Sequence, residues 1–161
     1  MPDWISHILI GLIFAELLNI NKKGLFILGT LLPDFVVKIY VFSFFFHLSD
    51  SLLFVSHLYH SPLMAFIIPA LLTPLFKYDW KKTYILITGG FLLHLLADSL
   101  GKYYTSYSEW IMLYPFTTKF FSFNILWPEQ YWIVLPISLV IYMSICFIKY
   151  RRFFNLKPSK N

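Results

Sequence analysis

Between Tyr131 and Ile148 the chain runs for eighteen residues without a charged side chain, and a basic cluster of Lys149, Arg151 and Arg152 closes the run. At 1.5 Å per residue such a helix reaches roughly 27 Å, close to the ~30 Å hydrocarbon core of a bilayer. Trp127, Pro128 and Trp132 mark its entry as aromatic belts mark membrane interfaces. This segment constrains the fold most, because in lipid every backbone polar group must be satisfied internally and only helices or closed barrels achieve that. The composition agrees. Of 161 residues, 58% are hydrophobic, 21% aromatic and only 13% charged, with a mean hydropathy of +0.68, outside the usual range of soluble domains. The expectation is an all-α fold, a polytopic membrane helical bundle.

Further spans follow along the chain. Tyr84 to Leu100 is a good candidate although it carries His94 and Asp98. Leu63 to Phe76 and Trp4 to Leu18 are shorter and suit tilted, protein-buried or partly inserted helices. Gly24 to Phe46 is apolar apart from Thr30, Asp34, Lys38, Tyr40 and Ser43, and Pro33 should break a helix there by removing a donor and clashing with the preceding turn. Irregular backbone at membrane depth persists only inside protein or beside a water-filled cavity, so a break at Leu32-Pro33-Asp34 points to a site. About five crossings are expected, with residues 1–152 as a single membrane-embedded helical domain and 153–161 as a short basic tail. Gly101 to Gln130, rich in Tyr, Ser, Trp and Phe, reads as a packed, partly interfacial cap. Asp3 and Trp4 open the chain in place of a basic n-region, so the N-terminal helix is expected to stay in the mature protein.

The net charge of +5 does not point to nucleic acid, because the basic residues stand in short groups beside apolar runs and not along a helical face among stacking aromatics. With Lys22, Lys23, Lys77, Lys81, Lys82 and the tail from Lys149 to Lys160 on one side, ten basic residues lie there and only Lys38, Lys102 and Lys119 lie opposite. The positive-inside rule then gives an extracytoplasmic N-terminus and a cytoplasmic C-terminus in a multi-pass protein of the cell membrane, with the lipid bilayer as its partner. The single cysteine, Cys146, leaves no intramolecular disulfide and no Cys-rich zinc motif.

Titratable groups in apolar helices are costly, at roughly 2.5 to 3.5 kcal/mol for a central charge, so each needs a partner or a function. In the five-crossing layout His7, Asp34, His60, His94 and Asp98 fall in one layer near the outer helix ends. His94 and Asp98 are four apart and share a helical face. An imidazole and a carboxylate suit zinc or a similar divalent metal, whose catalytic sites combine three protein ligands with an exchangeable position. A buried His-Asp hydrogen bond pinning two helices satisfies the same spacing. Other bland readings stand beside the metal: His7 next to Trp4 fits an interface, Asp34 fits an N-cap, and Ser61 with Pro62 fits a helix entry. His47 and His57 fit water-facing loop positions.

The ordered set His7, Leu32-Pro33-Asp34, His60-Ser61, His94-Leu95-Leu96-Ala97-Asp98-Ser99 and Tyr114-Pro115-Phe116 resembles the YdjM-type family of LexA-binding, inner-membrane-associated, predicted metal-dependent hydrolases. The resemblance implies a multi-helix membrane protein of the inner membrane. It puts His7, Asp34, His60, His94 and Asp98 at the family's polar positions, with Ser61 and Ser99 as neighbours. The family's His-Arg before its Thr-His-Ser element is absent, Val55-Ser56-His57-Leu58-Tyr59-His60-Ser61 standing there instead, and Gly101 to Met112 is longer than the family's link, leaving Glu109 without a role. A more distant similarity is to zinc-dependent phospholipase C and related phosphodiesterases, which also combine scattered His and Asp ligands with an HxxxD element.

The leading expectation is therefore a metal-dependent membrane hydrolase acting on a phosphoester or lipid headgroup. His7, His60, His94 and Asp98 would be ligands, and Asp34 a ligand, bridging carboxylate or catalytic base, with one or two ions. The alternatives are a non-enzymatic membrane protein whose residues form a structural metal site, a polar network or a proton or metal pathway, and an interaction module docking through its basic loops.

Overall fold

The structure is a computed structural model. It describes residues 4–45, 58–102, 114–117, 119, 122–127 and 130–155, and their side chains except at 36–45, 131 and 152–155. Five α-helices appear among them: α1 (Trp4–Leu17), α2 (Lys23–Phe45), α3 (Pro62–Leu72), α4 (Trp80–Ser99) and α5 (Tyr131–Asn155). His47, His57 and Glu109 lie outside the described residues.

Local chemistry sets the helix ends. After α1, Asn19 takes φ 53°, a left-handed conformation that Asn tolerates better than most residues. Its N–H donates to the Glu16 carbonyl and that of Ile20 to the Ala15 carbonyl, at 3.2 and 2.9 Å, the paired bonds of a Schellman stop. Ser61 caps α3, its Oγ accepting from the Met64 N–H, with Pro62 in the first turn where no donor is needed. Asp79 caps α4 by accepting from the Lys82 N–H at 2.8 Å. At the far end of α4, Phe123 N–H donates to the Ser99 carbonyl, and Ile125 and Leu126 N–H to that of Leu100. The 122–126 segment thus closes the end of α4 that carries Asp98.

The expected break at Pro33 is not there. α2 runs unbroken through Pro33, and Asp34 is a mid-helix residue, so the N-cap reading of Asp34 falls with it. Proline costs a helix one hydrogen bond, here to the Gly29 carbonyl. α4 lies against this part of α2 so closely that a Cβ on Gly29 would overlap the Ile87 carbonyl oxygen and one on Gly90 that of Phe26, each also 3.0 Å from the other glycine's Cα. Only glycine permits that approach.

The α2–α3–α4 interface buries Leu25, Leu32, Ala65, Ile68, Ile87, Phe91 and Leu95, and a second cluster of Ala15, Phe26 and Leu93 joins α1. α5 packs on α1. Its link is polar: the Lys149 ammonium donates to the Glu16 carboxylate and the Asn19 side-chain oxygen, each at 2.9 Å, and to the Glu16 carbonyl. Lys23, at the start of α2, pairs with the same carboxylate.

Among the described residues, one helix segment, Trp132–Arg151, is long and apolar enough to cross a membrane, and it is almost wholly unburied by the rest of the chain. α1 and α3 are shorter apolar helices, at roughly 21 and 16 Å. α2 and α4 have the length but bury charged and polar groups.

Candidate metal centre

Each of the five residues singled out in the sequence reaches one buried cluster. His7 comes from the start of α1, Asp34 from the middle of α2, His60 from the turn before α3, and His94 and Asp98 from the last turns of α4. All are buried, Asp34 most exposed at 3% and Asp98 at 0%, so His7 is not an interfacial residue. The donor atoms of His7, His94 and Asp98 lie within 4.8 Å of one another, as do those of Asp34, His60 and His94. These buried His/Asp groups could hold a metal ion.

The first triplet is the tighter. His7 Nε2 lies 3.3 Å from Asp98 Oδ1, and His94 Nε2 3.3 Å from Asp98 Oδ2. The rings of His7 and His94 stack with centroids 3.9 Å apart at 20°. Each ring nitrogen thus contacts one oxygen of the same carboxylate. For ligands at 2.0–2.1 Å around a tetrahedral zinc, neighbouring donors stand roughly 3.4 Å apart. The two 3.3 Å spacings are close to that length, each to a different oxygen of Asp98. In the second triplet His60 Nε2 and His94 Nε2 each stand 4.0 Å from Asp34 Oδ1, wider than a hydrogen bond between those atoms.

One contact decides the state of His94. Its Nδ1 is 2.7 Å from the backbone carbonyl oxygen of Thr30. A carbonyl only accepts, so Nδ1 carries a proton, and in the neutral ring the one lone pair is on Nε2, facing the cluster. Metal-ligating histidines are oriented in this manner, by a bond from the other ring nitrogen. The Gly29–Gly90 crossing makes the bond possible, since it brings the α2 backbone within reach of α4. Tyr59, next to His60, packs its ring 6.2 Å from that of Phe91, and burial pushes its phenol above the ordinary value.

Sequence reasoning missed Thr30 and Glu16. Thr30 acts through its main chain, and the available signal was a lone hydroxyl residue in the apolar run before Pro33. Glu16 was legible as the only acid in the α1 run, seven residues before Lys23. It serves the opposite end of α1, away from the His/Asp cluster.

The chain matches no family model, no curated protein and no solved structure.

Proposed function

We propose that the protein is a membrane-bound, divalent-metal-dependent hydrolase of phosphoesters. The observation that carries this is the buried triplet of His7, His94 and Asp98, each imidazole 3.3 Å from an Asp98 oxygen, with His94 oriented by its Nδ1 contact to the Thr30 carbonyl. Three protein donors leave a position open, as in catalytic zinc sites. A divalent ion there, zinc being the best fit to two imidazoles and a carboxylate, would polarise a phosphoryl oxygen and make water a competent nucleophile near neutral pH. Asp34, with His60 Nε2 4.0 Å from its Oδ1, would accept the proton of the attacking water. As the water oxygen bonds to phosphorus the bond to the leaving oxygen would break, and the proton held by Asp34 would pass to that oxygen, which departs as an alcohol. The phosphoester class rests on the resemblance to phosphodiesterases and on lipid headgroups being the phosphoesters that a site at the helix ends meets first.

The membrane assignment is supported by an inside-out distribution of polarity. Ser6, His7, Thr30, Asp34, His60, Ser61, His94, Asp98 and Ser99 are buried, while Ile5, Leu71, Leu75, Ile85 and Leu96 are more than half exposed. Such a bundle is unfavourable in water and suits lipid. We place it as a multi-pass bundle with the C-terminus cytoplasmic; a reporter fused after Lys160 and found extracytoplasmic would reverse that orientation.

A structural metal site is the second reading, favoured by complete burial of His60 and Asp98. Elemental analysis of detergent-purified protein beside a folded His94→Ala/Asp98→Ala variant tests the centre. Zinc or a similar metal in the parent and its loss in the variant support it and lead to a phosphoester screen. A metal-free parent, even after reconstitution, would replace both readings with a polar network.

A further inference from the structure

We propose that the cluster holds a single ion on His7, His94 and Asp98, and that Asp34 and His60 line that ion's open position and do not bind a second ion. This rests on the metal reading above and resolves how its five residues divide. His94 belongs to both triplets, but with Nδ1 protonated against the Thr30 carbonyl it has one lone pair, on Nε2. One lone pair makes one metal bond, so both triplets cannot be filled at once. A second ion would retain two protein ligands among the described residues, Asp34 and His60.

Spacing selects the triplet. Each imidazole of the first triplet lies 3.3 Å from one oxygen of the Asp98 carboxylate, the more compact arrangement, whereas 4.0 Å would open the angle at the metal to roughly 145° for bonds of about 2.1 Å. Because both triplets share His94, Asp34 and His60 stand next to an ion held by the first. Charge agrees. Two buried carboxylates, Asp34 and Asp98, neutralise one divalent cation, while two cations would leave an uncompensated charge in a low-dielectric interior.

The full-length protein in detergent, stripped by chelator, is titrated with Co²⁺ and followed by visible absorption, then with azide as a probe of the open position. Saturation at one equivalent is expected. Asp34→Asn and His60→Ala should keep that stoichiometry, whereas Asp98→Asn should weaken binding by roughly a hundredfold or more. Azide should shift the parent's spectrum. It should bind roughly tenfold tighter to Asp34→Asn, which removes a negative charge beside the anion, and roughly fivefold weaker to His60→Ala, which removes a donor. Saturation at two equivalents overturns the proposal, as does azide binding indifferent to both substitutions. Neither result touches the metal reading, which fails separately if the parent binds no Co²⁺. Stoichiometry of the parent requires no variant to fold.

Discussion

Replacing Gly90 with Ala should damage the centre without touching a ligand. The added methyl would sit 3.0 Å from the Gly29 Cα and closer still to the Phe26 carbonyl oxygen. Comfortable C···C and C···O contacts begin at roughly 3.5 and 3.3 Å, so α4 must retreat from α2 by about 1 Å. His94 is one turn further along α4. A shift of that size would stretch its 2.7 Å bond to the Thr30 carbonyl beyond hydrogen-bonding range. Overpacking costs about 1–3 kcal/mol and the lost bond about 1, offset by up to 1 kcal/mol of improved helix propensity. The expected net loss is about 2 kcal/mol, or roughly 5 °C in Tm for a chain of this size. Metal affinity should fall about 10- to 100-fold, the usual effect of losing the bond that orients a ligand. Gly24→Ala is the control, since a Cβ there meets nothing within 4 Å. Chelator competition and thermal unfolding of the three proteins measure both effects. If Gly90→Ala bound metal and melted like the parent, the helix crossing would not be what fixes His94.

Lys149→Met should release α5 from the end of α1 and lower stability by about 1–2 kcal/mol, less than a fully buried pair because Lys149 is 41% exposed; limited proteolysis of the α5 end would report it. Ser61→Ala should cost about 1 kcal/mol through loss of the α3 cap, visible as a lower Tm with metal stoichiometry unchanged. Acidification should weaken metal binding, by roughly tenfold or more between pH 7.5 and 5.5, because imidazole and carboxylate bind only when deprotonated. Isothermal titration at several pH values checks the sign: an affinity independent of pH would point to ligands other than histidine.

The helical class and the gathering of the five residues were legible because both follow from cost. A charge-free run of eighteen residues has few other folds open to it, and polar groups scattered through apolar helices must find one another or water. The unbroken course of α2 was not legible. Pro33 carries a local rule for breaking helices, whereas the segment that packs against this part of α2 surrounds Gly90, 57 positions away in sequence. The Thr30 contact was hidden for a related reason: its carbonyl is common to all residues, so no side-chain pattern advertises it.

The proline and the glycines belong to one arrangement. Pro33 deprives the Gly29 carbonyl of its ordinary partner, and Thr30, one residue on, lends its carbonyl to His94. Both lie where α2 meets Gly90. A regular α2 with larger side chains would be the more stable helix in isolation, but it would hold α4 at a distance and leave His94 free to rotate or to protonate at either nitrogen. The sequence accepts a weaker helix at this turn and obtains a fixed lone pair from it. Precision at the cluster therefore depends on Gly29, Gly90 and the Thr30 main-chain carbonyl, and substitution of either glycine should be as damaging to metal binding as loss of a peripheral ligand.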